Sequence, residues 1–427
     1  DPVTGKMLYM SEIRPLRGAW LEMNISRSNI IFIRIDRRRK FPITTFLRAI
    51  GVGSNEEIEK LFADSDLDPV YLQATLKKDT TRGSSEGAME IYKKMRPGEP
   101  AVLETAQEYI DSLFFNPRRY NLDKVGRYKI NKRLGLDISS DTLVLTKDDL
   151  VAAIKYLIRL QQGTGEVDDI DSLSNRRVRR VGELVGNVAF RGGLLRLEKS
   201  IKERMSLLDP KVKVLPSQVI NSRPLVSAIN EFFRTSQLSS ILDQTNPLSE
   251  LDTLRKLSVM GVGGISRERA SFSIRDINSS QYSRICPVRS PEGPNIGLVT
   301  FLTLYAKVDQ YGFLLAPYRK VVKLKSGEVI KSKVSHSNIA IDSHGIITDE
   351  RVPVRYRGEF MEAFSQDIDF VDVVARQVVG TAAALIPFLA NDDGIRALMG
   401  SNMQAQAVPL EQSDSPVIGT GVEAVVS

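Results

Sequence analysis

The chain of 427 residues has one cysteine, Cys286, two histidines, His336 and His344, and one tryptophan, Trp20. A lone thiol excludes a disulfide framework, and with two histidines it cannot complete the four soft ligands of a structural zinc site. Such sparing use of cysteine fits a reducing, cytosol-like compartment. The histidines fall in polar, turn-rich sequence, so no Ser/His/Asp or Cys/His nucleophile set is credible. No window of about 18 apolar residues occurs, and the longest candidate, residues 382–390, is interrupted by Pro387, so no membrane span is expected. Low-complexity tracts and repeats with a period of about 20–50 residues are also absent. The chain begins with Asp1 rather than Met and ends on an apolar run over 422–427, which reads as a piece of a longer subunit.

What is present is a globular composition, 42% hydrophobic and 26% charged, long enough for two to four domains. Lys and Arg outnumber Asp and Glu by 59 to 52, a formal charge of +7. That balance fits a polyanionic partner, although many proteins that never touch nucleic acid share it. Residues 236–301 form the most distinctive stretch. It is irregular, punctuated by Gly and Pro, and carries Arg255, Arg267, Arg269, Arg275, Arg284 and Arg289. Loops of this kind, held on a scaffold, present guanidinium donors to phosphates.

The first region, to about residue 166, alternates strand-like and helix-like segments. The β-branched run IIFIRI over 30–35 predicts a strand, and it leads straight into Asp36, Arg37, Arg38, Arg39 and Lys40. Ser54 with Glu57, and Thr146 with Asp149, are capping boxes that predict helix starts. The second helix should bury Leu150, Val151, Ile154, Leu157 and Ile158 on one face and end at Gly163. Residues 117–134 interleave Arg118, Arg119, Lys124, Arg127, Lys129, Lys132 and Arg133 with Tyr120 and Tyr128. The pattern suits phosphate contacts and stacking, and a solvated loop face fits it equally. A polar, acidic, Gly-rich stretch over 163–175 reads as a boundary or a functional loop.

Beyond it, Val178, Val181, Leu184, Val185, Val188, Leu194, Leu197, Ile201 and Met205 recur at helical spacing, with a cationic side; Gly192 and Gly193 are expected to bend or break that helix. Residues 305–365 read as short antiparallel strands separated by turn signals at 310–312, 326–327 and 343–345, and a helix-rich end follows. The fold class expected is α+β, a multidomain mosaic of mixed helical and antiparallel β modules.

Ordered blocks along the chain, among them LRGAWLEM, FIRIDRRRKFP, SLFFNPRRYNLDKVGRYKINKRLG, GEVDDIDSLSNRRVRRVGEL, YGFLLAPYRKVV, AALIPFLANDD and RALMGSNMQAQAVP, together with residues 236–301, closely resemble the bacterial-type β subunit of DNA-directed RNA polymerase. The resemblance implies a lobe over 1–168, the returning part of the protrusion over 169–230, a fork with a rifamycin-site-like wall over 231–304, an external β region over 305–380 and the start of the hybrid-binding active-centre region over 381–427. It implies that Arg396 contacts the triphosphate of the incoming nucleotide, a role that suits a forked donor able to offset charge on departing pyrophosphate. The alternative for Arg396 is a helix-surface pair with Asp392 or Asp393. Asn402 and Gln406 match side chains lining the RNA strand, with helix capping and a solvated amide as the bland alternative.

By the same resemblance, residues 261–272 are the fork loop that separates the downstream strands. Arg267 and Arg269 would hold phosphates there, and no mononucleotide P-loop is present, since the GK[ST] ending is missing. Trp20 matches a residue stacking on an unpaired non-template base, although a lone Trp is more often core. Asp171 and Arg176, with Ile265 and Ile274, match a pocket for a flipped non-template guanine. Gln237, Leu238, Ser240, Asp243, Thr253, Arg255 and Ser258 match the rifamycin-binding wall. Most bacterial members have Gln where this chain has Ser240, and His where it has Thr253, so weakened rifamycin binding is expected. The stretch 323–347 looks shorter than the family pattern.

Two-metal phosphoryl chemistry needs clustered carboxylates holding ions about 3.5–4 Å apart. The chain offers only DDID at 168–171 and DD at 392–393, and in the family the aspartate triad belongs to the partner β′ subunit. No cofactor is therefore expected on this chain, and Mg²⁺ is expected on β′. The implied partners are β′, the α dimer, ω, a sigma factor, template and non-template DNA, nascent RNA and NTPs, in the nucleoid-containing cytoplasm or a plastid stroma. A stand-alone nucleic-acid-binding protein, or a structural protein meeting acidic partners, are the rival functions.

Overall fold

The computed structural model describes residues 5–65, 70–208, 215–321, 333–341 and 346–426. His344, the turn signals at 326–327 and 343–345, and most of the stretch 323–347 lie outside them. The chain forms two compact units, Asp1–Asp168 and Asp169–Ser427. Helices and largely antiparallel sheets occur in several modules, an α+β mosaic.

The first unit opens with a four-stranded antiparallel sheet in sequence order: β1 (Met10–Ile13), β2 (Leu21–Ile25), β3 (Ile31–Ile35) and β4 (Phe41–Pro42). β3 alternates as its sequence dictates: Ile31, Ile33 and Ile35 are buried, and Phe32 and Arg34 point away from the core. Among the described residues seven helices follow: α1 (Ile43–Ala49), α2 (Asn55–Phe62), α3 (Val70–Lys78), α4 (Ser84–Met95), α5 (Leu103–Phe114), α6 (Asp123–Leu134) and α7 (Lys147–Gln161). Both expected capping boxes form, Ser54 with Glu57 on α2 and Thr146 with Asp149 on α7. α7 buries Leu150, Ile154, Leu157 and Ile158 and half-buries Val151. These faces join the sheet in one core that also takes Phe41, Phe46, Phe62 and Phe114.

The basic run 117–134 is neither a loop nor uniformly a surface. Most of it is α6, and two of its members belong to the core. Tyr120 and Arg127 are fully buried. Arg127 Nη1 lies 2.6 Å from Asp149 Oδ1, while its Nε and Nη2 donate to the carbonyls of Thr142 and Val144. Buried charge survives only when paired and hydrogen-bonded, and here every branch of the guanidinium is.

In the second unit, α8 (Val181–Leu184) runs through a π-helical segment, Val185–Phe190, into α9 (Arg191–Leu207). The glycine pair does not break the helix. Gly193 instead allows close approach by α11 (Arg223–Thr235), reached through α10 (Pro216–Val219): a Cβ there would stand 2.9 Å from Leu225 Cδ1 and 3.2 Å from Ala228 Cβ. The irregularity falls one step earlier, in the π segment. The apolar stripe is only partly covered, with Val181, Val188, Leu194 and Met205 exposed.

α12 (Pro247–Leu254) leads into β5 (Lys256–Ser258). The short α13 (Phe272–Arg275) follows, then β6 (Val299–Phe301), which pairs antiparallel with β5. β7 (Lys307–Val308) and β8 (Leu314–Leu315) form a hairpin over the turn at 310–312. A five-stranded sheet then collects β9 (Tyr318–Lys320), β10 (Val334–Ser335), β11 (Arg351–Tyr356), β12 (Glu359–Phe364) and β13 (Phe370–Asp372) in the order β12-β11-β10-β13-β9. One pair, β10 with β13, is parallel, which departs from the all-antiparallel expectation: after the β11–β12 hairpin β13 inserts between β10 and β9 rather than adding at the edge. The expected helix-rich end likewise starts as β13 and a 3-10 turn, Ala375–Val378, before α14 (Thr381–Ala384) and α15 (Gly394–Ala405). Val and Asp dominate that opening, which favours strand and turn over helix.

Large apolar side chains stay at the surface of this unit, Ile241 at 96% exposure and Phe272 at 87%.

Candidate nucleic-acid and nucleotide interface

Six arginines in residues 236–301 looked equivalent as phosphate donors. The structure separates them. Arg255 Nη2 donates to the carbonyls of Thr303 and Leu304, Arg275 Nη1 to those of Pro294 and Ile296, and Arg284 to those of Leu314, Ser280 and Tyr282. Burial lowers the pKa of Arg255, with Asp252 opposing the shift. Arg289 is buried against Asp252. Arg255, Arg275 and Arg284 tie irregular backbone together, because loops without ladders must find donors for their carbonyls elsewhere, while Arg289 joins side chains. Only the side chains of Arg267 and Arg269, on an exposed 3-10 turn, make no hydrogen bond or ion pair among the described residues.

That turn closes the 261–272 loop. Gly263, at φ +75°, sits where a Cβ would meet Arg179 Nη1 at 2.2 Å, and Arg179 reaches the carbonyl of Val262 at 3.4 Å. Glycine is the residue that tolerates both demands. Gln237, Gly261, Gly264, Ile265, Ser266 and Arg269 line one open pocket of about 530 Å³, so the wall and the loop share a surface. Leu238 lies over Gly261, and Gln237 Nε2 is 3.9 Å from Met260 Sδ.

Asp171 and Arg176 meet at 3.9 Å. Their segment is fastened beside the stretch carrying Ile274 by Asn278 Nδ2 to Asp169 Oδ2 at 2.9 Å and by the Leu173 amide to Ser280 Oγ at 2.9 Å. The Asn278 amide, followed by backbone donors, holds the Asp169 carboxyl below its usual pKa. Ile265 and Ile274 are half-buried.

Along the wall, Ser240 is exposed. Asp243 accepts from the Thr245 hydroxyl at 2.6 Å, the first cause of its lowered pKa. The Thr253 hydroxyl donates at 2.8 Å to the Ser249 carbonyl of its own helix, and Ser258 Oγ accepts from the Met260 amide at 3.2 Å.

Arg396 lies exposed on the first turn of α15. Its Nη1 donates to Met399 Sδ at 3.9 Å, and among the described residues no carboxylate pairs with it, so the Asp392 or Asp393 alternative does not form. Gln406, at the helix C-cap, is exposed. Asn402 is neither a cap nor free: it accepts from Arg289 and donates to the Ser290 carbonyl at 3.1 Å. Sequence reasoning missed Asn246, whose Nδ2 reaches the carbonyls of Ala405 at 3.1 Å and Ala407 at 2.8 Å and so clamps the end of α15. The Asn-Pro start of α12 advertises an N-cap, and nothing in it reveals this second contact.

In the first unit, Trp20 is half-buried rather than core. Trp20 and Asp36 are linked twice: the Trp20 N–H donates to the Asp36 carboxylate Oδ1 at 2.8 Å, and the Asp36 N–H to the Trp20 carbonyl at 2.9 Å. Asp36 and Arg37 take positive φ, 49° and 58°, which turns Arg37 back over the indole. The Cζ atoms of Arg14 and Arg37 stand 4.8 and 5.2 Å from the Trp20 ring centroid. A π-face flanked by guanidinium groups can stack a base and meet its phosphate.

Among the described residues no three His, Cys, Asp or Glu side chains gather as a metal-holding group, and no helix is long and apolar enough to cross a membrane.

Profiles of three protein domains match the chain in order: RNA polymerase Rpb2 domain 2 over residues 4–179, Rpb2 domain 3 over 240–308, and the RNA polymerase β subunit external 1 domain over 318–374. Curated relatives named DNA-directed RNA polymerase subunit beta include those of Syntrophomonas wolfei, 45% identical over 99% of this chain, and Trichormus variabilis, 46% over 98%. That of Nocardioides is 45% identical over 99%. The chain spans 38% of the length of each of these relatives. Matched from end to end at nearly half its positions, it belongs to the β-subunit family of DNA-directed RNA polymerases.

Proposed function

We propose that this chain is the part of a multisubunit RNA polymerase β subunit that walls the nucleic-acid channel and contacts the incoming nucleotide. The reaction of the assembly is template-directed addition of a nucleoside monophosphate to an RNA 3′ end, with release of pyrophosphate. The observation that carries the nucleotide contact is Arg396: an exposed guanidinium that among the described residues meets only the Met399 thioether and no carboxylate, on a helix clamped from behind. Such a group is available to the oxygens of a triphosphate and strengthens its hold as charge moves to the leaving pyrophosphate.

Arg267 and Arg269 fit DNA phosphates for the same reason, and Gln406 fits the RNA strand. Trp20 between its two arginines fits an unpaired base. Asp171 and Arg176, with Ile265 and Ile274, fit a flipped guanine. Asn402 supports the RNA path indirectly, since both ends of its amide are engaged within the chain. The metal ions would be held by carboxylates of a β′ partner, and the assembly would include an α dimer, ω and sigma in a cytoplasmic or plastid compartment.

The test is primer extension on a nucleic-acid scaffold by the complex purified through the full-length parent chain, with subunits identified by mass spectrometry. RNA synthesis with a co-purifying β′ supports the proposal. Salt-sensitive DNA binding without synthesis or large partners would move the chain to the stand-alone binding class.

The wall residues give a second expectation. Ser240 and Thr253 are short, and the Thr253 hydroxyl already serves its own helix. Losing one or two hydrogen bonds costs about 1–2 kcal/mol, or about five- to thirtyfold in affinity. Rifamycin should therefore inhibit the complex correspondingly less well than it inhibits one carrying Ser240→Gln and Thr253→His. Equal inhibition of the two would reject this account.

A further inference from the structure

Helix α15 is held from behind by a buried polar cluster that the reaction alone does not call for. Arg289 is 8% exposed and lies on the loop following Cys286. Its Nε is 3.2 Å from Asp252 Oδ2, its Nη1 donates to Asn402 Oδ1, and its Cζ is 4.7 Å from the Phe301 ring centroid. The other Asp252 oxygen accepts from the Thr381 hydroxyl, and Asn402 Nδ2 returns to the Ser290 carbonyl at 3.1 Å. One guanidinium thus joins the end of α12, its own loop and the middle of α15, and Asp252 extends the cluster to the first residue of α14.

Cohesion by itself would not require this. A buried ion pair is commonly no more stabilising than apolar groups of the same volume, but it is directional. The planar fork of arginine fixes two partners at set angles, which a lysine cannot reproduce. Asn402 follows Arg396 by six residues, about 9 Å along the helix axis and on a different face. Pinning Asn402 therefore fixes how far α15 is turned about its axis, and that turn decides where Arg396 points. Displacement of a reacting or stabilising group by about 1 Å can cost about a hundredfold in rate.

We infer that Arg289 is a positioning residue for nucleotide addition: through Asn402 it sets the rotation and depth of α15, and thereby the place of the Arg396 guanidinium. The inference rests on the assignment of Arg396 given under the proposed function. Asp252 anchors Arg289, and the same pair links the rifamycin-site-like wall on α12 to the nucleotide-facing helix.

The experiment uses the full-length subunit in the assembled polymerase, on a preformed primer–template scaffold. Arg289→Gln and Arg289→Lys are each made alone and with Arg396→Ala. NTP KM, kcat for a single addition and the melting temperature of the complex are measured. Arg289→Gln is expected to lower kcat/KM about tenfold to a hundredfold with scaffold binding retained. Arg289→Lys should recover part of the loss, because it keeps a charge beside Asp252. In the Arg396→Ala background the same changes should have less than about a twofold further effect, since the lever then has no guanidinium to place.

Full additivity in the double variants, or a lower melting temperature with unchanged kcat/KM, overturns the positioning role. If Arg289→Gln does not assemble, Arg289→Lys in the two backgrounds provides the same comparison. A normal Arg396→Ala enzyme rejects the assignment of Arg396 and this inference with it. An impaired Arg396→Ala enzyme beside normal Arg289 variants rejects the positioning role alone.

Discussion

Replacing Arg396 with alanine is expected to lower kcat/KM for nucleotide addition about 10²- to 10³-fold, with subunit assembly and scaffold binding unchanged. The side chain is exposed and packs against little beyond Met399, so its removal leaves no cavity and no orphaned partner. Loss of stability is therefore not the route by which activity falls. A donor that strengthens its contact as charge builds on the leaving group affects kcat as well as KM, whereas one that only binds the ground state would raise KM alone. Pyrophosphorolysis crosses the same transition state in reverse and should fall in proportion. Arg396→Lys should keep the charge but lose the fork, and so lie between the two. Single-nucleotide extension under saturating and limiting NTP separates these cases. Wild-type rates in the alanine variant, or a complex that no longer assembles, would remove Arg396 from the role assigned to it.

Local rules were legible where one residue answers to its near neighbours. The two capping boxes, the alternation of Ile31, Ile33 and Ile35, and the buried face of α7 all follow from spacing alone, and the structure reproduces them. What could not be read was partner choice over long separations. Arg255, Arg275, Arg284 and Arg289 have the same chemistry as Arg267 and Arg269, yet the first four close gaps in a strand-poor region by capping carbonyls or a carboxylate. Their partners lie as far as 113 residues away in the case of Arg289 and Asn402, a distance no pattern spans. Gly193 failed for a related reason. A glycine in a helix is read as a break, whereas here it is the space into which Leu225 and Ala228 fit. The return of β13 beside β10 is equally non-local. For the site itself, the resemblance to the family supplied the candidate residues. Geometry then sorted them into groups that face outward, such as Arg396 and Gln406, and groups such as Asn402 that are engaged within the fold.

The same sorting gives the largest expected effect on stability. Arg127 was read as one of a row of cations either facing phosphate or lying on a solvated loop face, but it and Asp149 are wholly buried, 2.6 Å apart. Asp149 is used twice: Oδ1 meets Arg127, and Oδ2 accepts from the amide and hydroxyl of Thr146 at the start of α7. Arg127→Met removes the cation, leaves a buried carboxylate unpaired and strands the carbonyls of Thr142 and Val144. Breaking a buried pair in this way costs about 3–5 kcal/mol. Asp149→Leu should cost at least as much, since it orphans the Arg127 guanidinium and also removes the acceptor of the Thr146 amide, one half of the capping box. The pair Arg127→Met with Asp149→Leu should be less destabilised than the sum of the singles, because neither charge is then orphaned. Trp20 is the only tryptophan and lies in the same unit, so its emission during urea unfolding follows this unit without interference from the other. A midpoint for Arg127→Met within error of the parent would mean that water or a rearranged side chain satisfies Asp149. The buried pair would then be a feature of geometry without energetic weight.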